Sequence, residues 1–134
     1  MLARNTFPLD YIEICRQRVD AQVATWKAGV KKPSAEAETV FFNNLVLVLE
    51  LAFVHRLRGR EGKNGNPLNE VRLLAASLLE NDGRLVADKQ IKLKPETSVL
   101  GLSVGDEIAL TEADFARLSD AYFTAMMEIF GDLT

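Results

Sequence analysis

The chain has 134 residues, of which 48% are hydrophobic and 26% charged, and these values indicate one compact globular domain over residues 1–134. Its single cysteine, Cys15, excludes an internal disulfide, and no apolar run reaches the roughly 18 residues that a membrane-spanning helix requires. The N-terminus lacks the apolar core and cleavage pattern of a signal peptide, so we expect a cytoplasmic protein without a membrane partner.

The first predicted helix begins near Pro8 and extends to about Val30, and Pro33 prevents its continuation. Its apolar residues recur at steps of three and four, which places them in one stripe along the helix. That stripe is expected to face the core, and it consists of Ile12, Cys15, Val19, Val23, Trp26 and Val30.

A second predicted helix starts after the N-cap Ser34 and extends to about Arg58. Apolar residues cover most of its circumference, and a helix with this pattern is buried on most sides. We therefore expect it to be central, with the other helices packed around it.

One narrow edge of the second helix is polar. Glu36, Asn43 and Glu50 are seven residues apart, and Leu47 and Val54 share their edge. This edge either meets water or forms a polar seam in a helical dimer. If Glu50 is buried, it requires a cationic partner such as Arg72 or a lysine, because an isolated buried carboxylate is very unfavourable.

Cap signals define the remaining helices. Asn66 and Pro67 are the predicted cap and first position of a third helix, which ends where Gly83 adopts the left-handed conformation. Thr111 and Asp114 have the spacing of a capping box at the start of the last helix.

Between these two helices the hydrophobic period changes from helical to alternating. Residues 90–94 alternate polar and apolar, which is typical of a strand with one wet face. The complete prediction is a mainly α fold with a minor β part, in which about four helices surround a central hydrophobic helix and a small β-hairpin region lies between the last two. The predicted hairpin pairs Leu85 and Ala87 with Ile91 and Leu93.

Several short segments between residues 41 and 130 stand out, namely Phe53–Arg56, Gly65–Arg72, Ala87–Lys89, Ser98–Leu100 and Gly105–Ile108. Together they resemble a family of small uncharacterised bacterial proteins that is mainly actinobacterial. The family has no assigned activity, so the resemblance implies a small helical protein and no particular function.

The strongest candidate site is the basic, glycine-punctuated loop 56–67. It ends at a helix N-terminus, where free N–H groups favour an anion, and its glycines allow close approach of a phosphate. It is not a Walker loop, because it follows a helix and its Gly-Lys pair precedes Asn64. Alternatively, it is a solvated connection. The candidate ligand-binding residues are Arg56, Arg58, Arg60, Lys63 and Asn66.

Catalytic and metal chemistry have little support in this sequence. His55 is the only histidine and Cys15 the only cysteine, so we predict no metal site, no cofactor and no catalytic residue. The remaining alternative is a catalytic dyad of Cys15 and His55, which would require the fold to bring the two side chains together. Against it, Cys15 lies on an apolar stripe, where free cysteine usually behaves as a small hydrophobe.

Charge is unevenly distributed along the chain. The formal net charge is −3, which disfavours a general nucleic-acid binder, and the segment from Gly105 to the end has seven acidic residues and one basic residue. The opposite charge of the preceding part suits association between copies, although a solvated acidic helix explains it equally well.

We expect a homodimeric protein-interaction module without catalytic activity; the alternative is binding of a small anion or phosphate ligand at the loop 56–67.

Overall fold

The computed structural model describes residues 3–133, which form five helices and one pair of two-residue parallel strands. Within this part of the chain, no helix is both long and apolar enough to cross a bilayer. In chain order the elements are β1 (Phe7–Pro8), α1 (Leu9–Gly29), α2 (Ala35–Ala52), α3 (Arg58–Glu61), α4 (Pro67–Glu80), α5 (Glu112–Phe130) and β2 (Gly131–Asp132).

The predicted helix starts are confirmed, and those of α2, α4 and α5 have their predicted caps. Ser34 Oγ accepts a hydrogen bond from the backbone of Ala37 at 3.0 Å at the start of α2. Asn66 caps α4, with Pro67 in the first position. Thr111 and Asp114 form the reciprocal capping box of α5. These starts were predictable because each cap satisfies N–H groups only two or three residues away.

The apolar stripe of α1 faces the core as predicted, except at its last member. Ile12, Cys15 and Val19 are buried, and Val23 and Trp26 pack against the same core. Val30 lies beyond the last helical residue, Gly29, in extended conformation and is not part of the core.

Helix α2 ends at Ala52, six residues before the predicted end at Arg58. The chain turns there because backbone groups after Ala52 pair with the N-terminal segment. His55 O accepts from the Arg4 N–H at 2.7 Å, and the Leu57 N–H donates to Arg4 O at 2.9 Å. These long-range bonds replace the bonds that would have continued the helix, and a one-turn helix, α3, follows.

The prediction that α2 is the central helix, with the others packed around it, is not confirmed. Helix α2 contacts α1, α4 and α5, but α5 also contacts each of the other three long helices. One side of α2 is exposed, with Val40 56% and Leu51 71% accessible. The apolar residues that encircle α2 therefore serve two surfaces, one facing the core and one facing outward.

The predicted β-hairpin is not confirmed. The described segment 84–110 contains no β-strand, and its β-type backbone pairing is one isolated antiparallel bridge between Arg84 and Glu107. The segment closes on itself through Leu85, whose N–H donates to Asp106 O at 2.9 Å and whose carbonyl accepts from the Gly105 N–H at 2.8 Å. Leu85 thus pairs with 105–106 rather than with the alternating residues 90–94.

Helix side chains hold this long connection in place. The buried Glu70 carboxylate on α4 accepts the N–H groups of Val99 and Leu100 at 2.8 and 3.0 Å. Asn43 on α2 donates to Ile108 O at 2.8 Å and accepts from the Leu110 N–H at 3.1 Å. Because side chains satisfy these backbone groups, the segment is ordered without a sheet.

Candidate functional site

Arg56, predicted to line an anion-binding loop, points into the protein instead. Its side chain has 0% exposure, and its guanidinium donates to Glu61 Oε1 at 2.7 Å and to Glu50 Oε1 at 2.8 Å. Two backbone carbonyls, those of Phe53 and Leu68, accept its other hydrogen bonds at 3.0 and 3.3 Å. Its donors are therefore used inside the fold, and Arg56 is not available to an external anion.

Glu61 is the second centre of this buried network. It accepts from Arg56, from Arg72 Nη2 at 2.6 Å and from Asn69 Nδ2 at 2.7 Å. Burial acts to raise the pKa of Glu61, but the Arg72 hydrogen bond and the charges of Arg56 and Arg72 outweigh it and hold the pKa below its ordinary value. Glu61 therefore stays ionised inside the protein.

Glu50 completes the network. Besides Arg56, it faces Arg72, whose Nη1 lies 3.8 Å from Glu50 Oε2, and the Glu50 side chain is only 16% exposed. Of the two partners considered for a buried Glu50, Arg72 or a lysine, the structure has Arg72 nearby, but the hydrogen-bonded partner is Arg56, which the sequence did not indicate. The polar edge of α2 does not simply meet water, because Asn43 and Glu50 both bind groups of their own chain.

The other loop residues do not converge on a ligand site. Arg60 Nε donates to Ile129 O at 2.8 Å, which ties the loop to the end of α5, while Arg58 and Lys63 are exposed. Asn66 Oδ1 already accepts the N–H groups of Leu68 and Asn69 at 2.9 and 3.1 Å. The N–H groups expected to hold an anion at the start of α4 are therefore occupied by the cap.

Cys15 and His55 lie in different environments. Cys15 is buried in the core, whereas His55 is exposed on the turn after α2. Residues 3–133 contain no group of three or more His, Cys, Asp or Glu side chains placed to hold a metal ion.

The most distinctive outer surface is formed by α1 and α2, which run antiparallel. Tyr11 Oη near the start of α1 donates to Ala52 O at the end of α2 at 2.8 Å, and the Trp26 ring stacks on Phe41 at 5.1 Å between centroids. Three shallow depressions follow one another along these helices. The middle one shares Gln22 with the depression that contains Leu51 and shares Phe41 with the depression that contains Val40, which is lined by residues 34–44 alone. Together they form one groove. We refer to this groove and the outer side of α2 beside it as the α1–α2 surface.

The outer side of α2 has an apolar stripe with coiled-coil-like spacing. Val40, Asn44, Leu47 and Leu51 follow at steps of four, three and four, which places them on one helix face. The single polar member, Asn44, donates from Nδ2 to Val40 O of its own helix at 2.8 Å. We call these four residues the α2 stripe.

Few charges interrupt the α1–α2 surface. Among the described residues that line its groove, the charged ones are Arg18 and Glu36, which lie in opposite halves. Arg18 lies in the half with Leu51, and Glu36 lies in the half with Val40. Within residues 3–133 neither makes an ion pair.

Sequence reasoning found this surface only in part. The sequence indicates that α2 is hydrophobic on most sides and leaves open whether the edge with Leu47 meets water or a partner chain, and it gives no role to α1. The contribution of α1 is visible only once the two helices are packed. Comparisons of the chain with protein-family models, with curated proteins and with solved structures found no match.

Proposed function

We propose that this protein is an interaction module that forms a homodimer through the α1–α2 surface. The observation that carries the proposal is the concentration of exposed apolar side chains on two adjacent helices. Leu51 and Val40 on α2 are 71% and 56% exposed, and Tyr11 and Ile14 on α1 are also accessible. Apolar side chains grouped on one surface, rather than scattered singly, are typical of protein interfaces.

The size of the surface suits a second copy of the chain. Helix α2 has 18 residues, which corresponds to a length of about 27 Å, and two packed helices are about 20 Å wide. Two copies pairing face to face would therefore bury about 1,100 Å², near the lower end for specific interfaces. We expect a reversible dimer with a dissociation constant on the order of micromolar.

The arrangement of polar groups also suits self-association. Asn44, the polar residue of the α2 stripe, donates from Nδ2 to Val40 O within α2, so one of its two amide N–H groups is already satisfied before pairing. A two-fold dimer uses the same patch on both subunits, and the opposite charges of Arg18 and Glu36 in the two halves of the groove make this patch self-complementary.

The anion-binding alternative has less support. Arg56 and Asn66 bind groups of their own chain, and Arg60 donates to α5. Arg58 and Lys63 remain exposed. Two exposed cations on a loop, with the cap of α4 already bound by Asn66, are typical of a solvated surface.

Sedimentation equilibrium and light scattering across a micromolar concentration series test the homodimer. We expect a monomer–dimer equilibrium that Leu51→Glu shifts at least tenfold toward monomer, because the new charge would be desolvated at the interface. Leu79→Glu is the matched control, since Leu79 on α4 is 70% exposed and Leu51 71%. The control should keep the wild-type equilibrium, and both variants should keep the wild-type circular dichroism.

Three results would contradict the proposal. The first is a wild-type protein that is monomeric at all concentrations. The second is a Leu79→Glu variant that dissociates as much as Leu51→Glu. The third is a dimer that Leu51→Glu leaves unchanged, because that dimer would use another face.

A further inference from the structure

We propose that the two copies pair with their α2 helices antiparallel, and that Arg18 and Glu36 determine this orientation. The inference rests on the proposed homodimer and adds the arrangement of its subunits. Its basis is the division of the groove into two halves, one lined by Arg18 together with Leu51 and the other by Glu36 together with Val40.

A two-fold axis can relate the two grooves in two ways. If the α2 helices are parallel, the half that contains Glu36 faces the same half of the partner subunit, and the half that contains Arg18 likewise faces its own counterpart. If they are antiparallel, the half with Glu36 of each copy faces the half with Arg18 of the partner subunit. Like charges repel and opposite charges attract, so the antiparallel arrangement is the one that the surface favours.

The helix dipoles favour the same arrangement. The N-terminal end of α2 carries partial positive charge and the C-terminal end partial negative charge. Antiparallel packing places opposite ends side by side, whereas parallel packing places like ends together.

The α2 stripe fits the antiparallel arrangement by its symmetry. Its spacing of four, three and four reads the same in both directions. With the two-fold axis between Asn44 and Leu47, Val40 of one copy meets Leu51 of the partner subunit. Each copy then presents a large apolar side chain to the partner at both ends of the stripe.

Charge reversal tests the roles of Arg18 and Glu36. In the antiparallel dimer, Arg18→Glu replaces attraction between the facing halves by repulsion at both ends of the groove, and we expect dimerisation about tenfold weaker. The double variant Arg18→Glu/Glu36→Arg restores opposite charges across the interface and should recover wild-type affinity. In a parallel dimer the double variant restores nothing, because each half of the groove still faces the same half of the partner subunit.

Disulfide trapping tests the orientation directly. The native thiol is first removed by Cys15→Ala, and Val40→Cys and Leu51→Cys are then introduced in separate chains. The antiparallel arrangement predicts that a mixture of the two chains forms the 40–51 disulfide, identified by mass spectrometry, and that neither chain alone cross-links efficiently. The matched control pairs Val40→Cys with Leu79→Cys, which should not cross-link.

The results separate this inference from the proposed function. A dimer disrupted by Leu51→Glu in which Val40→Cys cross-links with itself would overturn the antiparallel arrangement and leave the homodimer standing. Failure of the charge-reversed double variant to recover affinity would overturn the roles of Arg18 and Glu36. A wild-type monomer at every concentration would overturn both proposals.

Discussion

The guanidinium Nε of Arg56 lies 2.7 Å from Oε1 of Glu61, and both side chains are almost fully buried. The two residues are five positions apart in a stretch whose composition is that of an exposed basic loop. Their ion pair joins the turn after α2 to α3, and Arg72 and Glu50 extend it to α4 and α2. The most charged part of the sequence thus contributes to the interior of the fold.

Removal of the arginine should therefore be strongly destabilising. We expect Arg56→Met to lower the free energy of unfolding by about 3–5 kcal/mol, because Glu61 would lose a buried ionic partner. Arg58→Met, at an exposed position in the same segment, should change it by no more than about 0.5 kcal/mol. Urea denaturation measures both, and equal losses for the two variants would contradict the assigned role of Arg56.

Acid should weaken the same network. The pKa of Glu61 is lower in the folded protein than its ordinary value of 4.5. Its contribution to stability is therefore complete above about pH 4.5 and is lost as the pH falls through the folded pKa. We expect Glu61→Gln to be less stable than wild type at neutral pH, with a difference that narrows below about pH 4.5.

Urea denaturation between about pH 3 and 7 measures this narrowing. Glu80→Gln is the control, since Glu80 is exposed at the end of α4 and its replacement should change the free energy of unfolding by no more than about 0.5 kcal/mol. A Glu61→Gln deficit that stays constant to the lowest pH would show that the charge of Glu61 does not stabilise the fold.

The connection between α4 and α5 should depend on Asn43. Asn43→Ala removes one donor and one acceptor from the backbone of 108–110, and we expect a loss of about 2 kcal/mol. The Leu110 amide should also exchange faster with solvent. Asn44→Ala removes only a bond within α2 and should leave that amide protected. Unchanged Leu110 exchange in Asn43→Ala would mean that other contacts hold the segment.

Local chemistry explains which parts of the fold the sequence predicted. The starts of α2, α4 and α5 depend on Ser34, Asn66 and Thr111, and each cap acts within three residues. The end of α2 depends on Arg4, more than fifty positions away from the turn it pairs with. Such a partner leaves no periodic signal in the sequence.

The inward orientation of Arg56 could not be predicted for a different reason. An arginine beside glycines has the same sequence pattern whether it faces solvent or a buried carboxylate. The available signal was Glu50, a carboxylate in the most apolar run of the chain, which required a cation. The sequence left that cation open between Arg72 and a lysine, whereas the structure places Arg56 at 2.8 Å from Glu50 and Arg72 at 3.8 Å.

A glycine substitution tests how closely the two loop segments approach. Gly65 has φ +87°, and a Cβ there would collide with the carbonyl oxygen of Lys92. We expect Gly65→Ala to lower the free energy of unfolding by at least about 2 kcal/mol, because both the positive φ and the contact oppose a side chain.

Gly59 is the matched control, since it lies in α3 with open space around its Cβ position. Gly59→Ala should therefore be neutral or stabilise the fold by up to about 1 kcal/mol, since alanine favours a helix. Thermal and urea unfolding measure the pair, and a Gly65→Ala variant as stable as Gly59→Ala would contradict the close approach of 63–65 to residue 92.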